Sequence, residues 1–249
     1  MDKTKDLTTA EQLAQKEAEL EAAKKGLESI TYTISHDLRA PLRTIDSFSQ
    51  ALVEEFSNQL PEEAMQDLAR IRSATGKMQG MIDELLELAR VGRRQMDVQE
   101  VNLSRLAGKI VEELSIENPQ QNVEVIIDEN MLTMGDSALL KTLLYQLFHN
   151  SWKFTAGEEK PRIEFHQTEK DGLKCFSLSD NGQGFDVDYY DHVFEPFKHL
   201  HSDKELIGMG VGLAIAQQIV MKHHGKIWAD SEIDQGATFY FTLGPEFQI

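Results

Sequence analysis

From Leu68 to Ala89 the residues Leu68, Ile71, Thr75, Met78, Ile82, Leu85 and Ala89 recur at spacings of three and four, and near Val91-Gly92-Arg93-Arg94 that rhythm stops. A chain that changes in mid-course from a helical period to short alternating runs folds as two units of different class. Before the break, Thr31 to Glu55 also reads as helix, interrupted only by Pro41, which deletes the bond to the Asp37 carbonyl and bends the axis. Ser57-Asn58-Gln59-Leu60-Pro61 is a turn, with Pro61 starting the second helix. Two long helices and a short turn make a hairpin with one apolar stripe each. Such a hairpin is poorly buried alone, and two copies form a four-helix bundle, so a homodimer is expected. Ahead of it Leu13, Leu20, Leu27 and Ile34 recur every seven residues, with Ala23 and Ile30 three after Leu20 and Leu27. That is the seam of a parallel two-stranded coiled coil, or of a solvated helix on a larger bundle. Gly26 weakens this helix by about 1 kcal/mol.

After the break, strands are expected over 123–127, 162–167, 173–178, 226–229 and 238–243, and helices over 104–115, 137–154 and 211–223. The whole is α+β: a helical hairpin followed by a layered α/β domain. Its 25 basic and 42 acidic residues give a net charge of −17, which argues against nucleic acid and anionic membrane as partners. The longest apolar runs, such as Leu143 to Phe148, are too short to cross a bilayer, and no leader opens the sequence. The single cysteine, Cys175, reads as a strand-core residue and suits a reducing cytosol, so a cytoplasmic location is expected.

Four clusters carry chemistry. In Ser35-His36-Asp37-Leu38-Arg39-Ala40-Pro41-Leu42, His36 lies two residues off the stripe of Leu27, Ile34 and Leu38 and so faces solvent. A neutral imidazole is a nucleophile when one nitrogen is held protonated, and Asp37 is the available carboxylate; a surface histidine without a role is the other reading. Asp180-Asn181-Gly182-Gln183-Gly184 follows a strand. There a buried Asp180 accepts a hydrogen bond from an amino group while the glycines admit a ligand to the backbone, unless the run is simply a hairpin turn. Gly208-Met209-Gly210-Val211-Gly212-Leu213 leads into an apolar helix, whose N–H groups suit phosphate; it is neither a P-loop nor a dinucleotide fingerprint. Asn150 and Lys153 share a helix face, where an amide can help hold Mg²⁺ and an ammonium can meet phosphate, and Phe154 can stack on a base. The alternative there is a polar helix terminus.

Together, in this order, the four clusters resemble the sensor histidine kinases of two-component signalling over residues 30 to 245. His36 falls in what resembles the phosphoacceptor motif and Asn150 in the Mg-ATP motif. Asp180, Gly182 and Gly184 resemble the first glycine motif, and Gly208, Gly210 and Gly212 the second. Val193-Phe194-Glu195-Pro196-Phe197 is similar to the phenylalanine motif, and Gly236-Ala237-Thr238-Phe239 to the closing strand, whose hydroxyl, here Thr238, helps bind adenine. The wording around His36 and Asn150 is similar to bacterial kinases of the phytochrome and related soluble-sensor type. The resemblance implies a coiled-coil transmission helix over 1–30, a dimerisation and phosphotransfer domain over 31–95, and an ATP-binding domain of the gyrase, chaperone and histidine-kinase type over 96–249. It implies ATP and Mg²⁺ as cofactors, with His36 attacking the γ-phosphorus, Asp37 orienting the imidazole and receiving its proton, and a response-regulator receiver domain as acceptor. In a chain this acidic, the ATP site must supply its own positive potential.

A lid is expected between Gly184 and Gly208, its Lys198, His199, His201 and Lys204 solvated until closure; a metal pair is the other reading of the two histidines. Two positions depart from the family pattern. Gln146 stands where a further Mg²⁺-binding asparagine is usual, and Ala40 where threonine or asparagine orients water for dephosphorylating the regulator. Strong kinase and weak phosphatase activity is the expectation. No sensory domain precedes residue 10, so the input is expected from elsewhere. Two other functions share the fold: an ATPase without a histidine acceptor, and a degenerate kinase acting as a dimeric scaffold.

Overall fold

The computed structural model describes residues 9–170, 172–186, 192–197 and 210–247. The chain divides into two units, Met1–Ala89 and Arg90–Ile249.

In the first unit, α1 (Thr9–Phe56) passes without interruption through Pro41. The five-residue turn follows, with Gln59 and Leu60 donating to the Phe56 carbonyl, and α2 (Glu62–Arg93) begins immediately after Pro61, whose carbonyl accepts from Met65 N–H. Acidic Glu62 and Glu63 in its first turn and basic Arg90 and Arg93 in its last suit the helix dipole. The expected single stripe per helix resolves into two. Ser35, Leu42 and Ser49 of α1 and Leu68, Thr75, Ile82 and Leu86 of α2 are buried, mostly seven residues apart. Leu42, Ile82 and Leu86 form one cluster, and the Arg39–Asp83 and Arg72–Asp46 pairs link the two helices at 2.6 and 3.2 Å. A second stripe, Ile34, Leu38, Ile45, Phe48, Leu52 and Phe56, stays exposed on α1, joined by Ile71, Met78 and Met81 on α2. Among the described residues, this second stripe is left uncovered in a single chain. The side chains of Leu13, Leu20, Ala23, Leu27 and Ile30 lie outside those described.

The second unit contains β1 (Val98–Asn102), α3 (Leu103–Glu117), β2 (Glu124–Ile127), β3 (Leu132–Asp136), α4 (Ser137–Phe154), β4 (Arg162–Lys170), β5 (Leu173–Asp180), α5 (Gly212–Lys222), β6 (Ile227–Glu232) and β7 (Gly236–Phe241). The main sheet runs β2-β4-β5-β7-β6, with β2 and β4 parallel and the other pairs antiparallel. The small antiparallel sheet β1-β3 was not expected from the sequence. β1 has two valines among three polar residues, and in β3 the buried positions are Thr133, Gly135 and Asp136 while Leu132 is exposed, so neither strand shows an apolar buried face in its sequence. Phe165, Phe176, Phe239 and Phe241 line one face of the main sheet beneath the apolar side of α4, with Phe148 edge-on to Phe165 at 5.8 Å. Cys175 is buried, as a strand-core residue would be.

Asp136 sets where α4 begins. It is 1% exposed and caps the helix by accepting from Ala138 and Leu139 N–H through Oδ1, while Oδ2 accepts from Asp97 N–H and Arg94 Nε at 3.1 Å. Its own N–H donates to Nε2 of His223, a buried residue just past α5 whose Nδ1 donates to the Ile219 carbonyl. Burial opposes ionisation of Asp136, but these donors and the Arg94 charge outweigh it and hold the carboxyl below its usual value. For His223, burial dominates and holds the imidazole below its usual 6.5. Asp136→Ala removes a cap and leaves buried donors unmatched, so unfolding in urea should show a loss of about 2–4 kcal/mol. The contribution of neutral His223 to stability is fully present above the unfolded histidine value of 6.5 and should decline as pH falls below it, because the unfolded chain binds the proton first. His223→Gln should flatten that part of a melting-temperature profile.

Candidate nucleotide and phosphoacceptor sites

His36 and Asp37 are exposed on α1, their side chains 74% and 72% accessible, with Nδ1 of His36 3.2 Å from Oδ1 of Asp37. The pair forms although adjacent helical residues do not squarely face each other. With Nδ1–H given to the carboxylate, Nε2 is the nitrogen that carries the free lone pair. Ala40, one turn on, is exposed and offers only its carbonyl, which accepts from Thr44 Oγ1.

In the second unit the apolar face of α4 lies on the sheet and carries Ser151 down with it, fully buried. Ser151 Oγ donates to Asp180 Oδ2 at 2.7 Å, and Gly182 N–H donates to Asp180 Oδ1 at 3.1 Å. Burial pushes the Asp180 carboxyl up from its usual value, and the bonds from Ser151, Gly182 and Ala237 only partly oppose it. A half-buried carboxylate with no cation beside it among the described residues fits a neutral amino donor such as that of adenine. Sequence reasoning assigned no role to Ser151, the side chain that meets Asp180. Its signal was its place next to Asn150, but only the fold brings it to Asp180.

The glycines serve a purpose different from the one expected. A Cβ on Gly182 would come within 2.5 Å of the Phe154 carbonyl oxygen, and one on Gly184, at φ 60°, within 2.0 Å of the Glu232 carbonyl oxygen. The close approach is made by the chain's own backbone, not left for a ligand. Asn181 completes this turn, accepting from Arg162 N–H and donating to the Lys160 carbonyl, so the segment is a fixed floor and not a hairpin turn.

Thr238 does not join the site. Asp180 pairs with Ala237 across β5 and β7, and Thr238 pairs with Ser179, so alternation puts its hydroxyl on the opposite face from Asp180. The position facing Asp180 is Ala237, 8% exposed, which has no hydroxyl.

Gln146, Asn150 and Lys153 do share one face of α4, half-buried, opposite the core side. The side chain of Gln146 lies against the start of α5, where a Cβ on Gly212 would meet its Oε1 at 2.5 Å. The first turn of α5 therefore meets α4 at Gln146, on the helix face that also carries Asn150 and Lys153. That donor set fits phosphate, and the amides fit a hard cation that keeps part of its own water and phosphate shell. Lys153 Nζ lies 4.4 Å from the centre of the Phe154 ring, so one face of that ring already meets a cation. Gly210, at φ 71°, gives its carbonyl to Phe197 N–H at 2.8 Å, joining the second glycine motif to the phenylalanine motif, whose Val193 and Phe194 are buried. Gly208, Lys198, His199, His201 and Lys204 lie outside the described residues.

Two family descriptions match the chain in succession. Residues 27–94 match the His Kinase A phosphoacceptor domain, and residues 135–246 the histidine kinase-, DNA gyrase B- and HSP90-like ATPase. Over 95% of its length the chain is 33% identical to cyanobacterial phytochrome B of a Nostoc species, of which it covers 32%. Over 84% it is 32% identical to the adaptive-response sensory kinase SasA of Thermosynechococcus vestitus, of which it covers 58%. The chain thus spans about a third of the phytochrome's length and over half of the sensory kinase's. In fold it is similar to full-length ShkA, solved in complex with AMPPNP, with a TM-score of 0.62, 23% identity and coverage of 88% of this chain and 46% of that one. A phosphoacceptor domain followed by a nucleotide domain of this type, in a chain that aligns along most of its length with sensory kinases, places it among the sensor histidine kinases of two-component signalling, as their catalytic core.

Proposed function

We propose that the chain binds Mg-ATP in its second unit, transfers the γ-phosphoryl group to His36 and passes it to an aspartate of a response-regulator receiver domain. The observation that carries this reading is the combination, in one chain, of a half-buried Asp180 fitted to accept from an amine with an exposed His36 oriented by Asp37. Residues 1–30 serve as the transmission helix, 31–95 as the dimerisation and phosphotransfer domain, and 96–249 as the ATP domain, in the cytoplasm. The exposed stripe from Ile34 to Phe56, with Ile71, Met78 and Met81, supports a homodimer, since large contiguous apolar surface on a hairpin is removed from water by a second copy.

In the chemical step Nε2 of His36 attacks the γ-phosphorus; an N–P bond forms as the bond to the departing ADP oxygen breaks. Asp37 holds Nδ1–H during attack and takes up the proton that the imidazolium sheds. Asp180 and Ser151 hold the adenine amino group. Asn150, Lys153 and Gln146, with the start of α5, hold the phosphates. Asn150 and Gln146 would hold Mg²⁺, which supplies charge neutralisation on the phosphate oxygens. Phosphohistidine is labile at its P–N bond, which suits onward transfer to a carboxylate.

Incubation with ³²P-labelled Mg-ATP should label the wild type but not His36→Ala, and the label should survive base and be lost in acid. A base-labile label, or equal labelling of both proteins, contradicts the reading. Asp180→Asn keeps the shape and can still accept from Gly182 N–H through its one oxygen, with its amide N–H donating to Ser151 Oγ in a reversed bond, while it ends the cost of a partly desolvated charge. Melting should therefore be unchanged or higher, while ATP affinity falls roughly 10- to 100-fold in calorimetry, the worth of a hydrogen bond to a charged group. Because Ala40 offers no side-chain polar group to orient water, adding the protein to a phosphorylated regulator should leave its decay rate unchanged, whereas Ala40→Thr should accelerate it.

A further inference from the structure

The face of the main sheet opposite Phe165 and Phe239 carries a charged cluster that the proposed function does not use. There His166 of β4 sits between two carboxylates. Its Nδ1 lies 2.8 Å from Oδ1 of Asp128, the residue just past β2, and its Nε2 lies 3.1 Å from Oε2 of Glu164, two positions back along β4. An ionised carboxylate only accepts, so a ring that meets one through each nitrogen carries both protons and a positive charge. The other oxygen of Asp128 accepts from Gln167 N–H, and the Asp128 N–H donates to the Phe165 carbonyl. This one residue fastens the exit of β2 to β4 through three bonds. The strand needs fastening: β2 is four residues long, stands at the margin of the sheet, and pairs with β4 in parallel, the weaker mode of pairing.

We propose that Asp128, His166 and Glu164 form a proton-operated clasp, in which the His166 imidazolium locks the exit of β2 onto β4 and loss of its proton loosens the strand. Loosening bares the edge of β4, so the clasp also guards the margin of the sheet.

The charged groups on each neighbouring element give the ring its response to pH. Asp128 and Glu164 attract the imidazolium, and Glu129, next after Asp128 in the chain, is exposed. Arg162 and Lys170, four residues to either side on the same face of β4, are engaged elsewhere. Arg162 pairs with Glu164 Oε1 and stands 4.0 Å from Glu124 of β2, and Lys170 pairs with Asp230 of β6. On β5 the residue opposite the ring is Ser177, flanked by Ser179 and by Cys175, whose thiol burial keeps neutral. The bond to Asp128, helped by Glu164, outweighs desolvation and holds His166 above its usual 6.5, and the same bond lowers the Asp128 carboxyl. The clasp therefore acts in full below the unfolded histidine value of 6.5 and is lost as pH rises through the higher folded value.

Melting would mix in His223, which responds with the opposite sign, so the readout is local: native-state hydrogen exchange of the full chain by NMR at pH 6 and pH 8. The Asp128 and Glu124 amides donate to the Phe165 and Pro161 carbonyls and report on β2. Corrected for intrinsic rates, their protection should be about three- to fivefold lower at pH 8, as expected for an exposed charged pair, while amides of the β5–β7 ladder keep theirs. His166→Gln, which cannot take the charge, should show the lower protection at both pH values. The ring midpoint of His166 should lie above 6.5 in the wild type and move down in Asp128→Asn. A wild-type midpoint at or below 6.5, or equal Asp128 protection in His166→Gln and wild type at pH 6, overturns the proposal. A fall shared equally by the β5–β7 ladder overturns it too, since that reports global unfolding and not release of β2.

Discussion

One buried carboxylate fixes the geometry of the nucleotide domain. Asp136 ends β3, caps α4, and accepts from Arg94 and Asp97, while its backbone N–H holds His223 beyond α5. An ionised group at 1% exposure is tolerated only because each oxygen meets more than one donor and one of those donors is a cation. The consequence reaches the chemistry. α4 carries Gln146, Asn150, Ser151 and Lys153, and its axial position is set at the end that Asp136 caps. Its C-terminal half then delivers Ser151 to Asp180 on one side and the polar face to the start of α5 on another.

The two functional carboxylates answer to opposite environments. Asp136 is buried among donors and a cation, and its ionised form is favoured. Asp180 is half-buried with a hydroxyl and backbone N–H groups but, among the described residues, no cation, and its ionised form is disfavoured. The first arrangement stabilises the fold; the second leaves a strong acceptor under-compensated until a donor arrives, which is what a binding site requires. The hairpin shows the same division between stability and function. Its inner seam of Ser35, Leu42 and Ser49 against Leu68, Thr75 and Ile82 is small and partly polar, while the larger apolar residues point outward. In a single chain that arrangement leaves surface for another copy to cover.

Much of the architecture was legible because its signals are local. The helices of α1, α2, α3, α4 and α5 follow from periodicity, and the five strands of the main sheet from short β-type runs. β1 and β3 escaped because they are five residues long and β3 buries Thr133, Gly135 and Asp136 instead of its apolar residues. The glycine motif was legible as a motif and misread as a mechanism: Gly182 and Gly184 are excluded from bearing side chains by the Phe154 and Glu232 carbonyls, neighbours distant in sequence. Thr238 was assigned to the site by motif, and strand register sends it to the other face, because side chains on a strand alternate and Asp180 is opposite Ala237.

The sequence by itself determined the two-unit plan, the exposed His36 with Asp37 beside it, and the presence of an acidic residue, an amide-bearing helix and two glycine runs in the order of a histidine kinase. These depend on spacing and on neighbours within a few residues, and the chain carries that information directly. Tertiary structure alone decided which face each β7 residue takes, that Ser151 reaches Asp180, that Gln146 meets the start of α5, and that the hairpin has an inner and an outer stripe. Each of those is a contact between segments far apart in sequence, set by strand register and by how α4 is capped, and neither is written in any single segment.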